Sequence, residues 1–283
     1  MFFTALPRLS TARRTILPMT PLSQLPAEHL KRIRGVFTDV DDTLTTHGRL
    51  TARALGAVED LLSAGIKVVP VTGGPAGWCD HMARAWGVDA VIGEGGAFYF
   101  HIDRASGKLI KRFWYDEETR IAKRQALKAA RDSVLAEFPG VSLSSDQPYR
   151  ELDLAIDLYN ERGVLISDPV RDEIMAVVKR RGMTAKMSSI HINAYFGEYD
   201  KLSMAKLLAR EMWGEELDAT RDEWLFIGDS TNDAAMFDFF PASVGVANVR
   251  KVLDRLPTPP RFITEHEGGA GFAEAAQALL AAR

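Results

Sequence analysis

The sequence predicts an α/β protein, a parallel sheet wound by helices with a separate α+β domain inserted into it. Three observations predict this. The apolar runs Gly35-Val36-Phe37-Thr38, Val68-Val69-Pro70-Val71 and Trp224-Leu225-Phe226-Ile227 read as buried strands. Each is followed at once by polar residues, as expected where ligand groups gather at the carboxyl edge of a parallel sheet. The 33 residues from Asp39 to Thr72 have room for one β-α-β unit and little else. The 129 residues from Thr72 to Lys201 far exceed the needs of one helix and one strand, and their periodicity changes partway.

Taken in order, residues 1–27 carry Pro7, Pro18, Pro21 and Pro26, three arginines (Arg8, Arg13, Arg14), and no acid before Glu28. The prolines argue against one long amphipathic targeting helix, so the segment is expected to be a poorly ordered extension, with Met19 an alternative start. The core is expected over 28–99 and 197–283. Within it Leu55, Val58, Leu61 and Leu62 share one face of a helix that stops at Gly65, and a strand follows around Ile66 to Val71. A helix around Gly77 to Trp86 and a short strand from Ala90 to Gly93 come next. Residues 100–196 read as the inserted domain. Lys111 to Tyr115, Leu152 to Tyr159 and Ser188 to Tyr195 alternate as antiparallel strands do, while Glu118 to Phe138 and Asp168 to Arg181 read as helices.

Composition sets outer bounds. A chain of 283 residues, 46% hydrophobic, is long enough for two domains with cores of their own. A net charge of −3 with mixed signs gives no footprint for nucleic acid, and no apolar run approaches the length of a membrane span. The single cysteine, Cys79, excludes an internal disulfide and fits a reducing, cytoplasmic compartment.

Chemistry concentrates at Asp39-Val40-Asp41-Asp42-Thr43. Two carboxylates two residues apart at a strand end approach one ligand from the same side, and the surrounding Asp and Thr oxygens suit a hard cation. Such crowding is costly unless a metal or a raised pKa relieves it. An isolated Asp-x-Asp is more often a turn that caps a helix. Here three more polar clusters accompany it: Thr72-Gly73-Gly74, Tyr199-Asp200-Lys201, and Gly228-Asp229-Ser230-Thr231-Asn232-Asp233.

In this order the four segments resemble the motifs of the haloacid dehalogenase (HAD) superfamily of phosphohydrolases and phosphomutases. The resemblance is closer still to subfamily IIB, whose large cap is inserted between the second and third motifs. It covers residues 35–272 and implies a HAD-like Rossmannoid core with a parallel sheet plus an α+β cap of the C2 type. It also implies a Mg²⁺-dependent phosphatase acting through an aspartyl-phosphate. Asp39 would be the nucleophile and Asp41 the general acid and base. Thr72, Gly73, Lys201 and Asn232 would hold the substrate's phosphoryl group. Mg²⁺ would be held by Asp39, the Asp41 backbone carbonyl and Asp229, with Asp233 acting through a water or by orienting Lys201. Two positions depart from the family pattern. Gly74-Pro75 stands where an arginine often follows the second motif's glycine, and Asp42 replaces a common glycine.

Core motifs of this kind recognise only phosphate, so the cap should choose the substrate. Ser189, His191 and Asn193 alternate along one strand and could hydrogen-bond sugar hydroxyls, and Arg150 is the best cap residue for a second anionic or hydroxyl-rich group; each has the rival reading of an ordinary surface residue. A similar serine-containing strand precedes the lysine in family members acting on hexose phosphates, so a sugar phosphate is the expected substrate. A hexose phosphomutase is the first alternative. It would need several cap arginines to hold a second phosphate. A catalytically silent metabolite-binding protein is the other, and loss of Asp39 or Asp41 would have been its mark.

Overall fold

The computed structural model describes residues 19–160, 163–188 and 190–283. Its first part runs β1 (Thr20–Pro21), α1 (Ala27–Leu30), β2 (Gly35–Thr38), α2 (Ala52–Ser63), β3 (Lys67–Pro70), α3 (Ala76–Ala85), β4 (Val91–Gly93), β5 (Phe98–Ile102) and β6 (Leu109–Phe113). The middle holds α4 (Glu117–Glu137), β7 (Asp153–Asp157), α5 (Asp168–Arg180), β8 (Thr184–Met187) and β9 (His191–Tyr195). The last part is α6 (Lys201–Trp213), α7 (Leu217–Thr220), β10 (Trp224–Gly228), α8 (Ala234–Phe239), β11 (Ala242–Gly245), β12 (Phe262–Ile263) and α9 (Gly268–Ala281).

The central sheet is parallel, in the order β1-β12-β11-β10-β2-β3. Its strands are apolar throughout because both faces are covered. Val36, Val68, Leu225 and Ile227 pack on one side with Val58 and Leu61 of α2 and Phe272 and Leu279 of α9. Phe37, Val69 and Phe226, one residue out of phase, pack on the other with Met204 and Leu208 of α6 and Phe237 of α8. Gly35 is required by this packing, since a Cβ there would lie 2.1 Å from the Trp224 ring on the adjacent strand. The face of α2 differs slightly from the expected one. Ala54 and Ala57 are buried with Val58 and Leu61, whereas Leu55 and Leu62 are only partly covered. Small residues on this face allow the close approach of α9, where a Cβ on Gly269 would stand 3.0 Å from the Ala54 Cβ.

Two expectations about boundaries are corrected. Residues 19–27 are not a loose extension: β1 pairs with β12, and Leu22 and Leu25 are buried in the core. Residues 1–18 lie outside the described residues. The strand expected near Lys111 to Tyr115 pairs with β5, and β5 pairs with β4. A parallel bridge from Val71 to Ile92 then ties this antiparallel group to the core sheet. The change of architecture therefore comes after β6, where α4 begins.

From there the chain builds a three-stranded antiparallel sheet, β7-β9-β8. One face carries Leu154, Ile156, Ala185, Ile192 and Ala194 and is covered by Leu127 and Val134 of α4 and Ile174 and Val178 of α5. The other face, with Asp153, Lys186, His191 and Asn193, looks toward the ends of the core strands. Ser188 and Ile190 belong to the turn joining β8 and β9 rather than to the strand, because the Ser188 hydroxyl accepts the Ile190 and His191 amide hydrogens at 3.3 and 3.0 Å. Among the described residues no helix is long and apolar enough to cross a membrane.

Candidate active site

Parallel pairing brings the polar ends of three strands together. The Asp39 N–H donates to the Ile227 carbonyl at 2.8 Å and the Val71 N–H to the Thr38 carbonyl at 2.7 Å, so the ladder carries Asp39, Thr72 and Asp229 out at one edge. Lys201 arrives from another direction as the first residue of α6. Asp200 caps that helix by accepting the Ser203 N–H at 2.8 Å, and Ser203 Oγ accepts the Asp200 N–H at 2.8 Å. The cap fixes where the helix begins and with it the direction of Lys201.

Lys201 Nζ donates to Asp39 Oδ1 at 2.5 Å, to Asp233 Oδ1 at 2.7 Å and to Asn232 Oδ1 at 3.3 Å. Burial opposes its charge, but the Asp233 and Asp39 carboxylates outweigh burial and hold the ammonium above its ordinary pKa. Asp233 is fully engaged. Its second oxygen accepts the Asp229 and Ser230 amide hydrogens at 3.0 and 3.1 Å, and a Cβ on Gly228 would collide with that oxygen at 2.6 Å.

Asp39, Asp229 and Asp233 are buried, with ligand oxygens within 4.8 Å of one another. Burial, together with neighbouring carboxylates, pushes the pKa of Asp39 and of Asp229 up, with Lys201 opposing. Asp229 Oδ2 accepts from Asn248 Nδ2 at 2.8 Å, while Asp229 Oδ1 is buried and has no hydrogen-bond partner among the described residues. An all-oxygen donor set, an orphaned carboxylate oxygen and more carboxylates than the one ammonium can neutralise together fit a hard divalent cation.

Asp41 lies beside this cluster. Thr72 Oγ1 donates to Asp41 Oδ2 at 3.3 Å and accepts the Gly74 N–H at 2.8 Å. Burial raises the Asp41 pKa against the Thr72 hydrogen bond and the nearby His191 and Lys201. Asp42 has φ 57°, a left-handed conformation that explains the family's usual glycine and that Asp tolerates. Its side chain accepts the His47 N–H at 3.0 Å.

The cap residues divide. His191 and Asn193 border a cavity of about 100 Å³ together with Asp39, Asp41, Gly73 and Trp78. Burial, and then the Arg150 charge, hold the His191 ring below its ordinary pKa of 6.5. Asn193 Nδ2 donates to Asp153 Oδ2 at 2.7 Å. Ser189 lies outside the described residues. Arg150 departs from its expected role as a ligand for a substrate anion, because its guanidinium is buried and occupied. It donates to both oxygens of Asp146 at 2.9 Å, to both of Asp153 at 3.0 Å, and to the Gly73 carbonyl at 2.8 Å. An arginine does reach the second-motif loop, but from the cap, and it holds the backbone there.

Sequence reasoning missed two residues of weight. Asn248 joins three segments, donating to Asp229 and to the Asp42 carbonyl (3.0 Å) and accepting the Gly268 N–H (3.0 Å). It follows the largely apolar run that begins with β11, a signal like the one that marked Asp39 and Asp229. Glu94, buried with φ 44°, accepts amide hydrogens from Ala76 at 3.1 Å, Glu151 at 2.7 Å and Leu152 at 2.6 Å, tying α3 to the cap. No local pattern announces that role.

A capped α/β sheet whose strand ends gather carboxylates around one lysine defines a phosphohydrolase-type site. A sequence model of the haloacid dehalogenase-like hydrolases matches residues 33–238, and the chain belongs to that family; it is a phosphoric monoester hydrolase. It is 30% identical over 247 residues to a phosphoglycolate phosphatase of Methanoculleus marisnigri, covering 86% of this chain and 95% of that one. A phosphoglycolate phosphatase of Methanospirillum hungatei is 26% identical, covering 86% and 94%. Among solved structures, a Thermoplasma acidophilum protein superposes with TM-score 0.64 at 20% identity, over 88% of this chain and 98% of its own. The sucrose-phosphatase of Synechocystis, solved with sucrose and phosphate, superposes with TM-score 0.61 at 14% identity, over 88% and 98%.

Proposed function

We propose that this protein is a Mg²⁺-dependent phosphatase that hydrolyses a small phosphate monoester through a phosphoryl group carried on Asp39. The observation that supports this most is the pairing of Asp39 with Lys201 at the end of β2, with Asp41 hydrogen-bonded to Thr72 beside it. Lys201 opposes the rise that burial imposes on the Asp39 pKa and orients its carboxylate, and the Mg²⁺ charge would favour the ionised form further. Asp39 attacks phosphorus while Asp41 gives its proton to the departing alkoxide. Asp41 then takes a proton from the water that cleaves the acyl phosphate, and its raised pKa suits both steps. Thr72, the Gly73 backbone, Lys201 and Asn232 would grip the phosphoryl oxygens. Asp39, Asp229 and the Asp41 carbonyl would hold Mg²⁺, which supplies charge neutralisation at those oxygens, while Asp233 orients Lys201.

The cap, taken as the unit after β6, would set the leaving alcohol. Of the four residues expected to recognise a sugar, Arg150 and Asn193 are engaged with Asp146 and Asp153, and His191 keeps its ring at the cavity. The cavity of about 100 Å³ beside Asp39 shares Ser188, Ser230 and Asn232 with the larger space between cap and core, so a leaving alcohol would extend from one into the other. The two relatives named for phosphoglycolate make that compound the first substrate to test, with hexose phosphates second. A mutase would need free cap arginines, and among the described residues the one arginine at the cavity beside Asp39 is Arg150, already held by Asp146 and Asp153. The buried lone cysteine keeps a cytoplasmic setting within this reading.

The test is Mg²⁺-dependent phosphate release from a panel of phosphoglycolate, hexose phosphates and an aryl phosphate. Asp39→Asn should abolish it while leaving the fold intact. Substantial turnover by purified Asp39→Asn, or full activity in excess chelator, would overturn the mechanism.

A further inference from the structure

The inner face of the cap sheet forms the ceiling over the strand ends, and its charges are unevenly spent. Asp153 is consumed by Arg150 and Asn193, and Asp157, at the far end of β7, accepts the Tyr159 N–H at 2.9 Å. His191 is held toward its neutral form by burial. Lys186, opposite Asn193 in register, is exposed and has no carboxylate partner among the described residues. It borders the narrow gap that also touches Lys201, Asn193 and Asn232. It also borders a cavity of about 510 Å³ between cap and core that reaches Asp229 and Ser230. Of the other lysines and arginines of that cavity, Arg171 and Arg255 share the one Asp168 carboxylate and Lys251 pairs with Glu267, so each already faces a carboxylate. Asp172 of α5 borders the same cavity and pairs with no cation. Lys186 thus meets an entering anion with an ammonium that has no carboxylate partner among the described residues, beside Lys201 and Asn232.

Resting on the phosphatase reading, we propose that Lys186 is the specificity-determining residue of the cap, selecting phosphate monoesters whose alcohol carries a second anionic group, in the first place a carboxylate. An ammonium placed beside hydrogen-bonding groups but without a counter-ion gains far more from an anion than from a hydroxyl. Its role differs from that of Lys201, whose charge is already shared by Asp39 and Asp233.

The test measures binding apart from turnover. 2-Phosphoglycolate and ethyl phosphate, which differ by the carboxylate, are titrated calorimetrically into Asp39→Asn protein with and without Lys186→Gln. The parent should prefer phosphoglycolate by about ten- to hundredfold, the worth of one charge-assisted hydrogen bond. Lys186→Gln should erase most of that preference, Lys186→Arg should retain it, and melting temperatures should not move. No preference in the parent, or equal preference with and without Lys186, overturns the inference. A parallel arm compares fructose 1,6-bisphosphate with fructose 6-phosphate. If only the preference for the bisphosphate depends on Lys186, the anion it reads is a phosphate rather than a carboxylate. Failure of the phosphatase reading shows separately, as a wild-type protein that binds these esters and turns over none of them.

Discussion

Asn248→Ala should weaken Mg²⁺ binding and stability together, because one side chain holds a carboxylate and two backbone segments in place. The wild-type amide donates to Asp229 Oδ2 at 2.8 Å and to the Asp42 carbonyl at 3.0 Å, and it accepts the Gly268 N–H at 3.0 Å. Truncation removes a hydrogen bond to a charged group and strands a buried amide hydrogen. The expected destabilisation is about 2.5–6 kcal/mol, from about 1.5–3 for the charged bond plus about 1–3 for the desolvation of the orphaned N–H. Asp229 would lose the one side-chain hydrogen bond it has among the described residues, and removing a partner that orients a metal ligand costs about 10- to 100-fold in affinity. Urea unfolding in chelator reads the first quantity, and calorimetric titration of Mg²⁺ reads the second. Asn248→Asp sharpens the test. It keeps the shape but sets a fourth carboxylate against Asp39, Asp229 and Asp233, so the metal-free protein should fall below Asn248→Ala in stability. Unchanged stability in chelator together with unchanged Mg²⁺ affinity in Asn248→Ala would refute the positioning argument.

Arg150→Met should destabilise the protein by about 3–5 kcal/mol, because it leaves Asp146 and Asp153 buried without their counter-charge; chemical denaturation checks this, and a loss under about 1 kcal/mol would show the network to be dispensable. Asp41→Asn should slow the first chemical step much more on an alkyl phosphate than on an aryl phosphate, whose phenolate needs little protonation, and equal losses in rapid-quench measurements would exclude Asp41 as proton donor. The His191 ring should titrate below 6.5 by NMR, since burial and the Arg150 charge favour its neutral form. With the folded pKa depressed, its contribution to stability is present above 6.5 and lost as pH falls through the folded value. A midpoint at or above 6.5 would contradict its placement.

The catalytic face was legible because its signal is local. An apolar run followed at once by acid, hydroxyl or glycine marks a strand end, and Asp39, Thr72 and Asp229 were found that way. Asn248 follows Ala242-Ser243-Val244-Gly245-Val246-Ala247 and was open to the same rule. The inserted domain was legible from arithmetic, since 129 residues could not fit one crossover. Its beginning was not, because the alternation of β6 says that one face is covered and not which strand lies beside it; pairing with β5 is a long-range choice. β1 was hidden for a related reason. Two residues with a proline carry no strand signal of their own, and Thr20–Pro21 is a strand only because β12 offers an edge. Arg150 looked available for substrate since exposed arginines usually are. Its carboxylates, Asp146 and Asp153, flank it closely in sequence, but only the fold buries all three and turns a surface pair into a joint.

That joint bears on how specificity and chemistry are connected. Arg150 holds the Gly73 carbonyl, Glu94 holds the Glu151 and Leu152 amides together with the start of α3, and Thr231 Oγ1 donates to the Met187 carbonyl at 3.0 Å. Each tie runs from the cap to a loop that carries, or adjoins, a residue around the phosphoryl site: Thr72 and Gly73, the turn after β4, and Asn232 and Asp233. A cap held only by its own linkers could tilt over a substrate without disturbing the acids beneath it. Here a tilt must break the hydrogen bonds that Arg150, Glu94 and Thr231 make across it or shift the backbone of the loops they hold, since packed and hydrogen-bonded segments move as units. On the proposed function, a bound alcohol would therefore act on the geometry of the phosphoryl site through the same contacts that position the cap. Loosening any one tie should move kcat and KM together rather than KM alone.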